Sequence, residues 1–138
     1  MPLNRDERLF LTSSYLEKSD EALLDAAFLL ERRPGLSARC SYEAAYYLTI
    51  ALFVSHGLEV PRTHEGVNHR LYEFFVRDVK NITAELAKTL GRLETHRNIA
   101  QYSPTKKITT EIAAEDLQKA RAYHGEVKKI VLERLETI

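Results

Sequence analysis

The chain has 138 residues, 44% of them hydrophobic and 29% charged, the composition of an ordinary globular protein of a single domain spanning 1–138. Twenty basic residues balance twenty acidic ones, so no overall field draws polyanions, and any nucleic-acid contact must rest on a local patch. The one cysteine, Cys40, excludes an internal disulfide and a thiolate zinc site and fits a reducing compartment.

Asn4 to Arg8 is charged and no apolar stretch of a signal peptide follows it. The longest mainly apolar run, Ala44 to Val54, is too short to span a bilayer. The expectation is a cytoplasmic protein without membrane association.

In chain order, Asn4 and Glu7 have the spacing of a capping box. Leu9, Leu16, Leu23 and Leu30 then recur every seven residues, with Ser13 and Ala27 between them. They predict a long amphipathic helix, with a candidate interruption at Thr12-Ser13-Ser14, that stops at Arg33-Pro34-Gly35. A second helix is predicted from about Ser37 to His56, with Gly57 as its left-handed cap. Its centre, EAAYYLTIALFV, is apolar on nearly every face, which makes it the central strut of the fold or part of a subunit interface. Tyr42, Tyr46 and Tyr47 on it read as packing residues with hydroxyls bonded at the core edge.

Thr63 caps a third helix whose stripe is Val67, Leu71, Phe74 and Phe75. Asn81 or Thr83 begins a fourth, with a seam of Ile82, Leu86, Leu90, Leu93 and Ala100; Ser103-Pro104 ends it. Thr109 or Thr110 caps a last helix with the stripe Ala113, Leu117, Ala120, His124, Val127, Val131, Leu135 and Ile138. No segment alternates with the period of a strand. The predicted architecture is all-α: an up-and-down bundle of four long helices plus one shorter helix.

One residue breaks the fourth helix's pattern. A step past Leu93 along the seam lands on Arg97, where an aliphatic side chain belongs. Burying a guanidinium without a partner costs several kcal/mol by the desolvation argument, so Arg97 needs a carboxylate or a phosphate, or must lay its stem on apolar surface with its head in water. Asn98 and Gln101 add neutral donors, and His96 and Arg92 lie about a turn back. Gln101 stacks one turn above Arg97, whereas Tyr102 is about 140° round at roughly 100° per residue. Tyr102 therefore joins Arg97 only through unwinding at Ser103-Pro104 or from a second chain.

The five histidines do not make a metal motif: His64 and His69 are five apart, on different faces, and His96 and His124 are isolated. His124 reads as a buried, hydrogen-bonded histidine, His64 as an end-capping or interhelical contact, and Cys40 as an inert thiol. Neither glycine-rich phosphate loop, G-x-x-x-x-G-K-[ST] or G-x-G-x-x-G, is present. No metal or cofactor is implied.

Three stretches in order carry a resemblance: ARCSYEAAYYLTIALFVSHGLE at 38–59, Thr63-His64-Glu65-Gly66-Val67, and Arg97-Asn98-Ile99-Ala100-Gln101-Tyr102. Together they resemble the small stand-alone prokaryotic members of the HEPN superfamily, whose signature is Arg-x-x-Ala-Asp-Tyr; Gln101 replaces the Asp. The resemblance implies a four- or five-helix bundle forming a symmetric homodimer, with the arginines of both chains facing a shared cleft. It implies a toxin–antitoxin pairing with a minimal nucleotidyltransferase, and binding of a nucleotide or RNA phosphate by Arg97, with Asn98, Gln101 and His96 beside it. Active toxins of this kind cut RNA without metal, using Arg, four to six intervening residues, then His. Here the corresponding positions hold Tyr102, Ser103 and Pro104. Tyr102, with a reference pKa of about 10, is a poor base near neutrality. Three readings stay open: an anion-binding module, an endoribonuclease in which Arg97 acts with Tyr102 or a displaced His96 or His124, and a helical adaptor in which Glu65, Glu94 or an acid of the last helix pairs with Arg97.

Overall fold

A computed structural model of the chain describes residues 2–138. It is all-α, with no strand among the described residues. The helices are α1 (Arg5–Leu29), α2 (Pro34–Ser55), α3 (His64–Arg70), α4 (Ala84–Tyr102) and α5 (Thr110–Thr137), with α3 running on into a π-helical segment (Leu71–Asp78). No helix among the described residues is long and apolar enough to cross a membrane.

Local chemistry sets the helix starts. The Asn4 side chain accepts from the Glu7 N–H at 2.8 Å, while the Asn4 N–H donates to the Glu7 carboxylate at 3.0 Å, closing the capping box. Thr63, Thr83 and Thr109 cap α3, α4 and α5 by accepting from the N–H three residues on, at 2.9, 3.1 and 3.2 Å. α2 starts three residues earlier than Ser37 because Pro34 occupies its first turn, where a missing N–H costs nothing and the fixed φ suits the helix. Ser37 instead donates to the Ala26 carbonyl of α1 at 2.6 Å.

α1 runs unbroken through Thr12-Ser13-Ser14, the Ser14 hydroxyl donating back to the Phe10 carbonyl at 2.9 Å. Its buried face is Thr12, Leu16, Ser19, Ala22 and Ala26, which keeps only Leu16 of the leucine heptad and is otherwise built of small side chains. Facing it are the small residues of α2: the Ser19 hydroxyl reaches the Ala44 carbonyl at 2.7 Å. Short side chains on both helices let the backbones approach closely, and Leu9, Leu23 and Leu30 flank that seam half-buried.

α2 packs against α1, α4 and α5 and is the central strut. Leu48, Leu52 and Phe53 are fully buried, and the Phe53 ring stacks on Phe75 of the π-helical segment at 5.9 Å. Ile82 precedes α4 rather than opening it, yet is buried in this same core with Leu90 and Leu93. Tyr123 of α5, absent from the predicted stripe, is fully buried, with its hydroxyl 2.5 Å from that of Thr49. A smaller cluster of Ala38, Ile108 and Ala113 joins the start of α2 to the end of α4 and the start of α5, through Ile99 and Ala100.

At the other end of α2, Gly57 has φ 70°, the left-handed conformation that closes the helix. Arg8 donates to the Ser55 carbonyl at 2.8 Å and Arg134 to the same oxygen at 3.2 Å, so cations satisfy the negative end of the helix. Beside them His56 is half-buried, its Nδ1 2.9 Å from the Leu52 carbonyl and its ring edge-on to Phe75 at 5.0 Å. Burial holds its pKa below the ordinary value, the Leu52 carbonyl partly offsetting this and Arg134 and Arg8 adding to it. The unfolded chain therefore takes up a proton at His56 before the folded one does. Its contribution to stability is present above about pH 6.5 and is lost as the pH falls from there toward the depressed folded-state value. Urea midpoints measured at pH 7.5 and 5.5 should fall on acidification in the natural chain, and fall less in His56→Gln.

Candidate functional site

The last two turns of α4, the first half of α2 and the start of α3 converge on Tyr42. Its ring is buried, and the Arg97 guanidinium carbon lies over it at 5.6 Å from the centroid. The Tyr102 ring flanks the same guanidinium at 5.9 Å. α4 remains helical through Tyr102, so no unwinding is needed: two long side chains close the gap that their backbone positions open. A guanidinium between two aromatic faces is held by its attraction to their π-electrons. Arg97 Nη1 donates to the Asn98 side-chain oxygen at 2.9 Å, and its other N–H donors have no hydrogen-bond partner among the described residues.

No carboxylate among the described residues lies within 4.0 Å of Arg97. Glu94, one turn back on α4, is engaged elsewhere. Its Oε2 accepts from the Tyr42 hydroxyl at 3.4 Å and stands 3.7 Å from His64 Nδ1. His64 Nδ1 is itself hydrogen-bonded to the Tyr42 oxygen, and its ring packs on Tyr46 at 4.8 Å. The Tyr42 hydroxyl thus lies between the Glu94 carboxylate and His64 Nδ1, and His64 Nε2 makes no hydrogen bond among the described residues. Burial pushes the Tyr42 phenol far up, Glu94 and Tyr46 adding and Arg97 only partly offsetting, so Tyr42 stays neutral. Burial raises Tyr46 as well, with Tyr15 and Glu94 adding to it.

The other residues singled out from the sequence lie apart. His96 turns toward α5, where its Nδ1 sits 2.8 and 2.9 Å from the two oxygens of Asp116. Asp116 is only 1% exposed, and burial pushes its carboxyl up while His96 partly offsets this. Gln101 is exposed one turn beyond Arg97. His124 is hydrogen-bonded, as expected, but half-buried rather than buried, with Nε2 2.7 Å from Asp20 of α1, and Lys128 joins the same carboxylate at 2.9 Å. Burial pushes the Asp20 carboxyl up, but the Lys128 and His124 hydrogen bonds outweigh it and hold it below its usual range. His69 pairs with Glu73 at 3.3 Å, while His64 faces the Tyr42 cluster, so the two histidines diverge.

The Cys40 thiol is half-buried, and burial, with Glu43 and Asp25 adding, raises its pKa to about 11. Alkylation by iodoacetamide should accordingly be slow at pH 7.5 and accelerate steadily up to about pH 11, where a typical thiol has already levelled off near 8.5.

Sequence reasoning named Glu94 as a candidate ion-pair partner of Arg97, but Glu94 instead engages Tyr42 and His64, and the cluster these two form beside Arg97 was missed. Glu94 carried a signal, being three residues before Arg97 and so on the same face. His64 carried one only through the Thr63-to-Val67 stretch, and nothing in the spacing ties it to α2 or α4. The assembled site offers a guanidinium between two aromatic rings with hydrogen-bond donors to spare, beside a neutral phenol and a histidine whose Nε2 makes no hydrogen bond among the described residues. Such a site suits a planar or tetrahedral oxyanion.

A search of curated proteins finds none that matches the chain. The model of the HEPN domain matches residues 12–133, which cover α2 to α4 whole and most of α1 and α5, and on that match the chain belongs to the HEPN family.

Proposed function

We propose that the chain works as a homodimer of toxin–antitoxin type that engages a nucleotidyltransferase partner and binds a nucleotide or RNA phosphate through a cleft centred on Arg97. The observation that carries this reading is the half-buried Arg97 without a carboxylate within 4.0 Å, the Glu94 carboxylate one turn back on α4 being engaged by His64 and Tyr42. A packing arginine of a helical adaptor would hold an ion pair there; Arg97 holds aromatic rings and one amide. Asn98 orients the guanidinium, Gln101 stands where it would meet a ligand lying along α4, and His96 lies on the α5 side of the helix. The test is titration of the purified protein with a nucleotide, a short RNA and the candidate partner, with the RNA recovered afterwards on a gel. Binding that leaves the RNA intact supports this reading; no binding by any of the three overturns it.

A second reading, a metal-independent endoribonuclease, is favoured by one observation: Tyr102 sits against Arg97, where a catalytic group would need to be. Tyr102 is 66% exposed, open to a strand laid across the end of α4. This reading expects growth arrest on expression that Arg97→Ala relieves, and cleavage that persists in chelator. Cleavage abolished by chelator would exclude it.

A further inference from the structure

On the opposite side of α4 from Arg97 lies a groove of about 380 Å³ between that helix and the π-helical segment. Lys88, on its wall, is about 180° round α4 from Arg97 at roughly 100° per residue, so the two sites do not share a face. From this groove we infer a second binding site, for a nucleoside monophosphate unit, either as a free nucleotide or as one residue of a single strand.

Four features of different origin meet there. Tyr72, in the first turn of the π-helical segment, lines the groove and is 49% exposed. π-Helical turns are rare and frequent at functional sites; this one spans Leu71–Asp78 and carries Tyr72. Lys88 and Arg92 stand on the facing wall and share a single exposed carboxylate, Glu85, at 3.8 and 3.6 Å. An exposed pair at such distances contributes little, so a phosphate can take both cations from it. The floor is Gly91, where a Cβ would come no nearer than 4.0 Å to any neighbour, the nearest being Asn68 Nδ2, so a ligand meets bare backbone. Asn68 also lines the groove, its Nδ2 being the neighbouring atom nearest to Gly91, so a base edge meets an N–H donor there, while its carboxamide oxygen is buried without a hydrogen-bond partner.

An aromatic face, two cations and a carboxamide around a slot of this size match the three parts of one ligand. The base stacks on Tyr72, its edge meets Asn68, and the phosphate lies between Lys88 and Arg92. An acidic peptide would use the cations and waste the ring and the amide. A purely apolar ligand would leave both cations idle.

Two-dimensional NMR on the full chain reads this site separately from the Arg97 cleft, because the Asn68 side-chain amide and the Gly91 backbone amide report the groove and the Arg97 guanidinium reports the cleft. Adenosine and uridine monophosphates, an unphosphorylated single-stranded octanucleotide and inorganic phosphate are titrated in turn. Saturable shifts at Asn68 and Gly91 are expected with a mononucleotide or the octanucleotide. The one that binds tighter identifies the source of the unit. Tyr72→Ala should weaken binding at least about fivefold, from the loss of one stacked base. Lys88→Ala with Arg92→Ala should weaken it further and flatten its dependence on salt. Shifts of equal size with inorganic phosphate alone, binding untouched by Tyr72→Ala, or no shift at Asn68 and Gly91 at millimolar nucleotide would each overturn the inference.

Discussion

Replacing Arg97 with alanine should weaken the binding of a nucleotide or RNA phosphate by about ten- to a hundredfold, the worth of a charge-assisted fork of hydrogen bonds at roughly 1.5–3 kcal/mol. Arg97→Lys should recover only part of this, since an ammonium keeps the charge but loses the planar fork and its fit between Tyr42 and Tyr102. The folded chain itself should be indifferent. No carboxylate within 4.0 Å is left behind when the guanidinium goes, so Arg97→Leu should keep or raise the melting temperature. Calorimetric titration and thermal melts on the same three variants separate the roles. A melting temperature several degrees lower in Arg97→Leu, with unchanged affinity in Arg97→Ala, would make Arg97 a packing residue and remove the proposed cleft.

The largest effect on stability should come from Phe53→Ala. Phe53 is fully buried near the C-terminal end of α2, stacked on Phe75, and truncating such a ring typically costs about 3–5 kcal/mol. Against a total stability of roughly 5–15 kcal/mol that is a large share, and the urea midpoint should drop accordingly. Because α2 also carries Tyr42, ligand affinity should fall in step with the folded fraction. A drop in affinity in conditions where the variant is fully folded would instead mean that the Phe53–Phe75 contact transmits strain to the site.

How much of this was legible in the sequence depends on how far apart the interacting residues are. Asn4, Thr63, Thr83 and Thr109 could be read as caps because a cap bonds its own chain three residues on. The all-α class and the central place of α2 were equally legible, since hydrophobic period and near-continuous apolarity are properties of one segment. The face that α1 buries was not: its leucines mark a plausible stripe, but the close fit of Ser19 and Ala26 against α2 rotates the helix toward its small side. Nor was the π-helical segment, which keeps the same apolar residues and changes only the hydrogen-bond span. Arg97 stood out because it interrupts a pattern. Its neighbours Tyr42 and His64 did not, because what joins them is the rotation and offset of three helices. His96 shows the same limit in reverse: adjacent to Arg97 in sequence, it is turned to Asp116 by a step of about 100°.

The two arginines that cap α2 come from its distant neighbours in sequence, Arg8 from the first turn of α1 and Arg134 from the last turn of α5. Arg5 completes the arrangement by donating to the Ile138 carbonyl at 3.1 Å. The first and last helices thus begin and finish side by side, at the Ser55 end of α2. Tyr42 is thirteen residues away along that helix, about 20 Å at 1.5 Å per residue. A tag, a fluorophore or a fused protein attached at either terminus would leave from that end and keep clear of Arg97, while a short linker joining the two would close the chain into a ring at little entropic cost.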